Sequence, residues 1–180
     1  MSKRVLCLLA PGFEEIEAVI PIDLLRRAGA EVVVASLNGE PSVTGRSQLT
    51  LQADVALADV ADEDFDLLLV PGGPGVHALR ADGRPAKLAK TFHQAGKIVA
   101  AICAAPAVLK DANLLENRKF TAHFSVYEEL PNALAKERVV QDGTILTARG
   151  AGTAVDFGLA VVQTLFGADK ANEIARAIMA

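Results

Sequence analysis

Cys103 stands where an apolar run, Lys97-Ile98-Val99-Ala100-Ala101-Ile102, gives way without a linker to a helix-like run, Ala104-Ala105-Pro106-Ala107-Val108-Leu109. A thiol at such a junction sits on a sharp strand-to-helix turn, and the small residues Ala101 and Ala105 on either side leave room for the backbone to fold back. A sulfur at a helix start also faces the positive end of the helix dipole. That predicts a thiol pKa below the roughly 8.5 of free cysteine, and hence a nucleophilic thiolate. The plainer alternative is a buried core cysteine, a common fate of unpaired thiols.

A second candidate is Glu17. Pro21, four residues on, has no N–H for the carbonyl of residue 17, so a helix through both should bend and tip the carboxyl group toward a neighbouring loop. Glu17 shares a helical face with Ile20 and Leu24, whereas Glu14 and Glu15 read as a solvated acidic first turn that complements the dipole. Beside a thiolate, a buried carboxyl group keeps its proton and becomes a general acid with a raised pKa.

Three further features belong with these two. Gly72 and Gly73, after the apolar run Leu67 to Val70, would let two backbone N–H groups approach a reacting oxygen as an oxyanion hole requires, with turn punctuation as the alternative. His123 follows a short strand expected at Lys119 to Ala122 and can return over the cysteine as a base, while His77 and His93 read as surface residues. Arg149, followed by Gly150 and Gly152, suits an anion contact, although a surface arginine fits equally. The stretch Gly73-Pro74-Gly75-Val76-His77-Ala78 formally matches a dinucleotide fingerprint. No acidic residue ends the following strand, where a ribose contact belongs, so a nicotinamide or flavin is a minor alternative and neither cofactor nor metal is expected.

These side chains need a scaffold that gathers loops at one rim. Buried runs at Val5 to Ala10, Glu31 to Leu37, Leu67 to Val70 and Ile98 to Ile102 read as parallel strands. Helical patterns alternate with them at Glu14 to Ala28, Pro85 to Ala95, Ala105 to Lys110 and Thr153 to Phe166, and a last helix spans Ala168 to Ala177. This order predicts a doubly wound α/β sandwich, mostly parallel with helices on both faces, whose functional groups lie beyond the carboxyl ends of its strands. Ser42 to Leu57 and Val139 to Thr147, the latter with a turn at Asp142-Gly143, read as antiparallel additions. Thr153 with Asp156 resembles a capping box.

The 180 residues read as one domain over 1–180, and a 51% hydrophobic content against 22% charged excludes a disordered chain. A net charge of -4 argues against nucleic acid or an anionic membrane as partner. Cys7 and Cys103 form no C-x-x-C pair or disulfide framework, and Cys7 reads as core. Only six apolar residues follow Lys3-Arg4, too few for a signal-peptide core. The longest apolar stretch, Ile98 to Leu109, contains Pro106 and falls short of the roughly 20 residues that cross a bilayer, so a cytoplasmic protein is expected.

Taken together, Gly12-Phe13-Glu14-Glu15-Ile16-Glu17 with Pro21, Pro71-Gly72-Gly73, Ala100-Ala101-Ile102-Cys103-Ala104-Ala105-Pro106, and Ala148-Arg149-Gly150 with Gly152-Thr153 closely resemble the ThiJ/PfpI superfamily over nearly the whole chain. The match is to the branch holding the human parkinsonism-associated protein and bacterial YajL, described as glyoxalases, protein deglycases, redox sensors and chaperones. The resemblance implies a flavodoxin-like homodimer acting on glyoxal, methylglyoxal or glycated protein without a cofactor. It puts the nucleophile on Cys103, a protonated carboxyl partner on Glu17, backbone oxyanion donors on Gly73 and Ala104, and a nearby histidine on His123. Arg46 matches a residue that the family brings to the site across the dimer interface. The alternative it implies is a non-catalytic redox sensor or chaperone whose cysteine is oxidised to sulfinate. Protease-like members carry histidine directly after the cysteine; Ala104 stands there in this chain, so peptidase activity is not expected.

Overall fold

The structure is a computed structural model and describes residues 3–60 and 63–180. The chain opens with β1 (Arg4–Leu9), crosses through α1 (Glu15–Arg27) and returns as β2 (Glu31–Ser36), a parallel neighbour of β1. A hairpin of β3 (Ser42–Thr44) and β4 (Thr50–Gln52) follows, then β5 (Val55–Ala56) and the short α2 (Leu57–Val60). The chain next enters β6 (Leu67–Val70), on the opposite side of β1 from β2, and continues through α3 (Val76–Asp82), α4 (Arg84–Gln94), β7 (Ile98–Ile102) and α5 (Pro106–Asp111). The last elements are β8 (Val139–Asp142), β9 (Ile145–Ala148), α6 (Ala154–Phe166) and α7 (Ala168–Ala177).

The main sheet has the order β5-β2-β1-β6-β7-β9-β8, parallel throughout except for β8, which runs antiparallel to β9 at the edge. The winding reverses between β1 and β6. At such a switch point the two outgoing loops diverge to opposite faces and leave a crevice, here between the loop after Leu9 and the loop after Val70. The strands are apolar on both faces because both are covered. Leu6, Leu8, Leu68, Val70, Val99 and Ala101 pack on the side of α3, α4 and α5, while Val5, Cys7, Leu9, Leu69, Ala100 and Ile102 pack on the side of α1, α6 and α7. Each fully buried leucine contributes on the order of 2 kcal/mol. α6 reaches α1 through Gly158, where a Cβ would stand 2.7 Å from Leu24 Cδ1 and 3.3 Å from Pro21 Cα.

The structure departs from the sequence expectations in three places. Lys119 to Ala122 forms no strand; Thr121 N–H donates to Thr147 Oγ1 at 3.0 Å and Phe120 accepts from Leu134 N–H at 2.8 Å, so the backbone is satisfied without a ladder. Within Ser42 to Leu57 only β3 and β4 are antiparallel, since β5 extends the main sheet in parallel with β2. Thr153 makes no capping box. Its hydroxyl donates to Gly150 O at 2.8 Å, and Asp156 binds Arg138 instead.

Candidate active site

Cys103 leaves β7 with φ +67°, a left-handed conformation that costs a residue with a Cβ on the order of 1–3 kcal/mol. The strain persists because both backbone groups are pinned. Its N–H donates to Ala148 O and its carbonyl accepts from His123 N–H, each at 2.8 Å. The thiol is half-buried and lines a cleft of about 400 Å³ with Glu14, Glu17, Arg46, Gly73, Ala104 and His123.

Glu17 comes from the first turn of α1, which continues as one helix through Pro21. The residue is 1% exposed, and its Oε2 accepts from Gly72 N–H at 3.0 Å. Oε1 is buried with no hydrogen-bond partner among the described protein groups. A buried carboxyl oxygen in that position is the natural seat of a proton. Burial, opposed first by the Cys103 thiol, pushes the carboxyl pKa up to about 7.

The dipole expectation for Cys103 is overturned. Burial, followed by the charge of Glu17, pushes the thiol up to about 12, and the N–H groups of Gly73 and Ala104 facing the sulfur lower it only in part. α5 is six residues long and its N-cap is Ala105, two positions beyond the sulfur, so the dipole offered there is weak. Burial therefore disfavours the charged form of both groups, and each resists ionising beside the other.

Gly72 and Gly73 are both required by close approach. A Cβ on Gly72 would lie 2.5 Å from Glu17 Oε2, 2.6 Å from Cys103 Cβ and 2.9 Å from Ile102 O; one on Gly73, at φ +89°, would lie 2.6 Å from Glu14 N. Because the Gly72 N–H is bound to Glu17, it is not free to hold a substrate oxygen, which corrects the pairing expected from the sequence. Gly72→Ala is expected to destabilise the fold by about 1–3 kcal/mol through overpacking and to displace the acid from the thiol. Thermal denaturation reads the first effect and thiol alkylation rate against pH the second.

The β3–β4 turn carries Arg46 to the cleft of its own chain. Arg46 N–H donates to Phe13 O at 2.9 Å, and its guanidinium lies 3.3 Å from Glu14 Oε2. Arg46 thus reaches the site without a second copy, unlike the arrangement implied by the family resemblance. The strap that places it is Glu15, only 4% exposed and not solvated as expected, whose Oε1 accepts from Ser47 N–H at 2.7 Å and Leu49 N–H at 3.3 Å. Those backbone bonds outweigh its burial and hold its pKa below the usual value.

His123 reaches the cleft, with Nδ1 accepting from Ser125 N–H at 3.3 Å. That bond assigns the proton to Nε2. Burial, and then the Arg46 cation, hold the ring pKa below its ordinary value, so the imidazole is neutral at pH 7. Arg149 lies outside this cleft, in an adjoining groove. His77 borders the cleft from α3, and His93 is tied to Thr144 at 2.6 Å.

Sequence reading missed Arg80 and Glu129. Arg80 Nε and Nη2 donate to Asp111 at 2.7 and 2.9 Å, and Nη1 donates to Glu129 at 2.8 Å, fastening the segment that carries His123 against α3 and α5. Partners 31 and 49 positions away leave no local signal. Among the described residues no cluster of His, Cys, Asp and Glu could hold a metal ion, and no helix is long and apolar enough to cross a membrane.

Comparison with known proteins adds a family. The profile described as DJ-1/PfpI family matches residues 3–164. Protein dj-1beta of Drosophila melanogaster is 38% identical, covering 99% of this chain and 98% of its own, and its crystal structure superposes with a TM-score of 0.95. A Caenorhabditis elegans relative named glutathione-independent glyoxalase DJR-1.2 is 35% identical over 96% of this chain and 94% of its own. The structure titled Toxoplasma gondii DJ-1, oxidized, is 35% identical, covers 99% of this chain and 98% of its own, and has a TM-score of 0.93.

Proposed function

Because this chain belongs to the DJ-1/PfpI family, we propose that it is a cofactor-independent glyoxalase and deglycase that uses Cys103 against glyoxal, methylglyoxal or their early glycation adducts. The observation that carries this reading is a buried Glu17 carboxyl group lining the same open cleft as the Cys103 thiol, with the N–H groups of Gly73 and Ala104 facing the sulfur. The relative named as a glyoxalase supports the choice of substrate.

In this mechanism Cys103 Sγ attacks the aldehyde carbon of methylglyoxal while the thiol proton passes to the Glu17 carboxylate. The former carbonyl oxygen becomes the hemithioacetal oxygen, held by the Ala104 and Gly73 N–H groups, with His123 Nε2–H as a further donor. Glu17 first returns the thiol proton to the hemithioacetal oxygen, then takes the proton from the aldehyde carbon and delivers it to the neighbouring carbonyl carbon while the hydroxyl proton passes to that carbon's oxygen, which converts the adduct to a lactoyl thioester. Water cleaves the thioester to lactate and restores the thiol. The sum is methylglyoxal plus water giving lactate, with no external oxidant or reductant. The test is lactate formation from methylglyoxal by the purified chain in the absence of glutathione; no aldehyde consumption would reject the reading.

A second reading is favoured by the structure titled oxidized. Here two equivalents of peroxide convert the Cys103 sulfur to a sulfinate, releasing two waters, and the same N–H groups and Glu17 proton hold its oxygens. Intact mass showing two added oxygens on Cys103, with aldehyde left unconsumed, would favour it over the first.

The reading includes a homodimer. Ile16 and Val19, one turn apart on α1, are exposed large apolar residues, and Leu49 on the adjoining turn is another. Burial against a second copy would remove all three from water. Sedimentation equilibrium is expected to return twice the chain mass, and Val19→Asp to shift the protein toward monomer; a monomeric parent would refute this face.

A further inference from the structure

His123 and Ala151 border two concave surfaces at once. One is the Cys103 cleft; the other is a groove of about 500 Å³ whose lining includes Phe124, Tyr127, Arg138 and Arg149. The backbone ties the two together, because Arg149 directly follows Ala148, whose carbonyl accepts the Cys103 N–H at 2.8 Å.

The two guanidinium groups differ in their partners. Arg138 is neutralised by Asp156, with Nε donating to Oδ2 at 2.7 Å, and Nη2 donates to Gly152 O at 3.1 Å. Arg149 has no carboxylate within ion-pair distance among the described residues, and its Nη1 makes one long contact, 3.4 Å, to Ala135 O. Two cations against one anion leave a single positive charge in the groove, and the neutral His123 adds none. A planar guanidinium with free N–H groups in a concave, half-buried setting matches a carboxylate in charge and shape. Asp156, held beside Arg138, would repel the second charge of a phosphate dianion. Phe124, 74% exposed, and Tyr127 offer apolar surface for the carbon chain that joins such a carboxylate to a reacting carbonyl.

We infer that this groove is a specificity subsite, in which Arg149 binds a carboxylate at the far end of a 2-oxoaldehyde whose aldehyde carbon lies at Cys103. The inference rests on the glyoxalase reading of Cys103 and names the substrate class that this site prefers.

The test compares 4,5-dioxopentanoate with 2-oxopentanal, which has the same number of carbons and no charge. At low ionic strength kcat/KM is expected to favour the carboxylate by about tenfold, the effect of one charge-assisted hydrogen-bond pair. The ratio should shrink as salt is raised. Arg149→Gln should bring it close to one, Arg149→Lys should keep part of it, and Lys90→Gln, a distant cation, should leave it as in the parent. An equal ratio in the parent, or a ratio unmoved by Arg149→Gln, overturns the inference. If neither aldehyde is consumed, the glyoxalase reading has failed, and the groove is then judged by binding alone. Titration with 4-oxopentanoate, which lacks the aldehyde, should shift the Arg149 side-chain NMR signal and saturate in the parent but not bind to Arg149→Gln. Absence of binding to the parent overturns the subsite.

Discussion

Cys103→Ser is expected to lower methylglyoxal turnover by about 10³-fold or more, because a hydroxyl beside Glu17 cannot approach the nucleophilicity of a sulfur in the same place. The fold should hardly register the change. Serine is close in size, the side chain is half-buried, and the φ of +67° that strains Cys103 strains serine equally. The backbone bonds from Cys103 N–H to Ala148 O and from His123 N–H to Cys103 O are also kept. A stability change of about 1 kcal/mol or less is therefore expected in urea denaturation. Lactate release measured on the same preparations separates chemistry from folding. Turnover within tenfold of the parent would mean that the sulfur forms no covalent bond to substrate.

Glu17→Gln tests the other half of the pair and carries an opposite effect on stability. The loss of a general acid–base group is expected to cost about 10²- to 10⁴-fold in turnover. Because the Glu17 pKa is raised to about 7 by burial, the folded chain binds its proton more tightly than the unfolded chain does. Stability conferred by the neutral acid is fully present below the ordinary carboxyl pKa and declines as pH rises through about 7, above which the whole cost of a buried carboxylate is present. Glutamine removes that cost while its carbonyl still accepts the Gly72 N–H. The variant should be more stable than the parent at pH 8, by on the order of 3 kcal/mol, and nearly equal to it at pH 4. Urea titrations across that range read the slope directly. An unchanged slope in Glu17→Gln would show that the acid titrates alike in the folded and unfolded chain, and so that its pKa is not raised by burial. In the parent, kcat/KM should rise through about pH 7, as Glu17 loses its proton and becomes available as the base.

Much of the architecture could be read from the chain because local chemistry dictates it. Short continuous apolar runs at Leu67–Val70 and Ile98–Ile102 read as strands covered on both faces, and they are β6 and β7 with those bounds. Ala168–Ala177 is likewise α7 as its pattern predicts. The elbow at Cys103 was legible as an abrupt change of period between small residues, and the raised pKa of Glu17 followed from an acid on an apolar face. Gly72 and Gly73 looked like turn punctuation or oxyanion donors, and their spacing alone could not choose between these. The choice came from the approach of Glu17 and Cys103 to Gly72, and of the Gly12 to Glu14 backbone to Gly73, which leaves neither position room for a Cβ, while Glu17 occupies one of the two N–H groups.

What the amino-acid sequence determined by itself was therefore most of the strands and helices of the main sheet, the doubly wound class that brings loops to one rim, and the types of side chain those loops carry. What only the tertiary structure decided was how much water each of those side chains keeps. The thiol pKa turned on burial and on the charge of Glu17, not on the helix start that sequence makes visible. Glu15 proved to be a buried strap for the Arg46 turn, and Arg149 fell in a separate groove. The physical reason is one of range. Periodicity and turn chemistry act over a few residues, whereas desolvation and hydrogen bonding to groups 30 or more positions away act through space and exist only once the chain has closed around them.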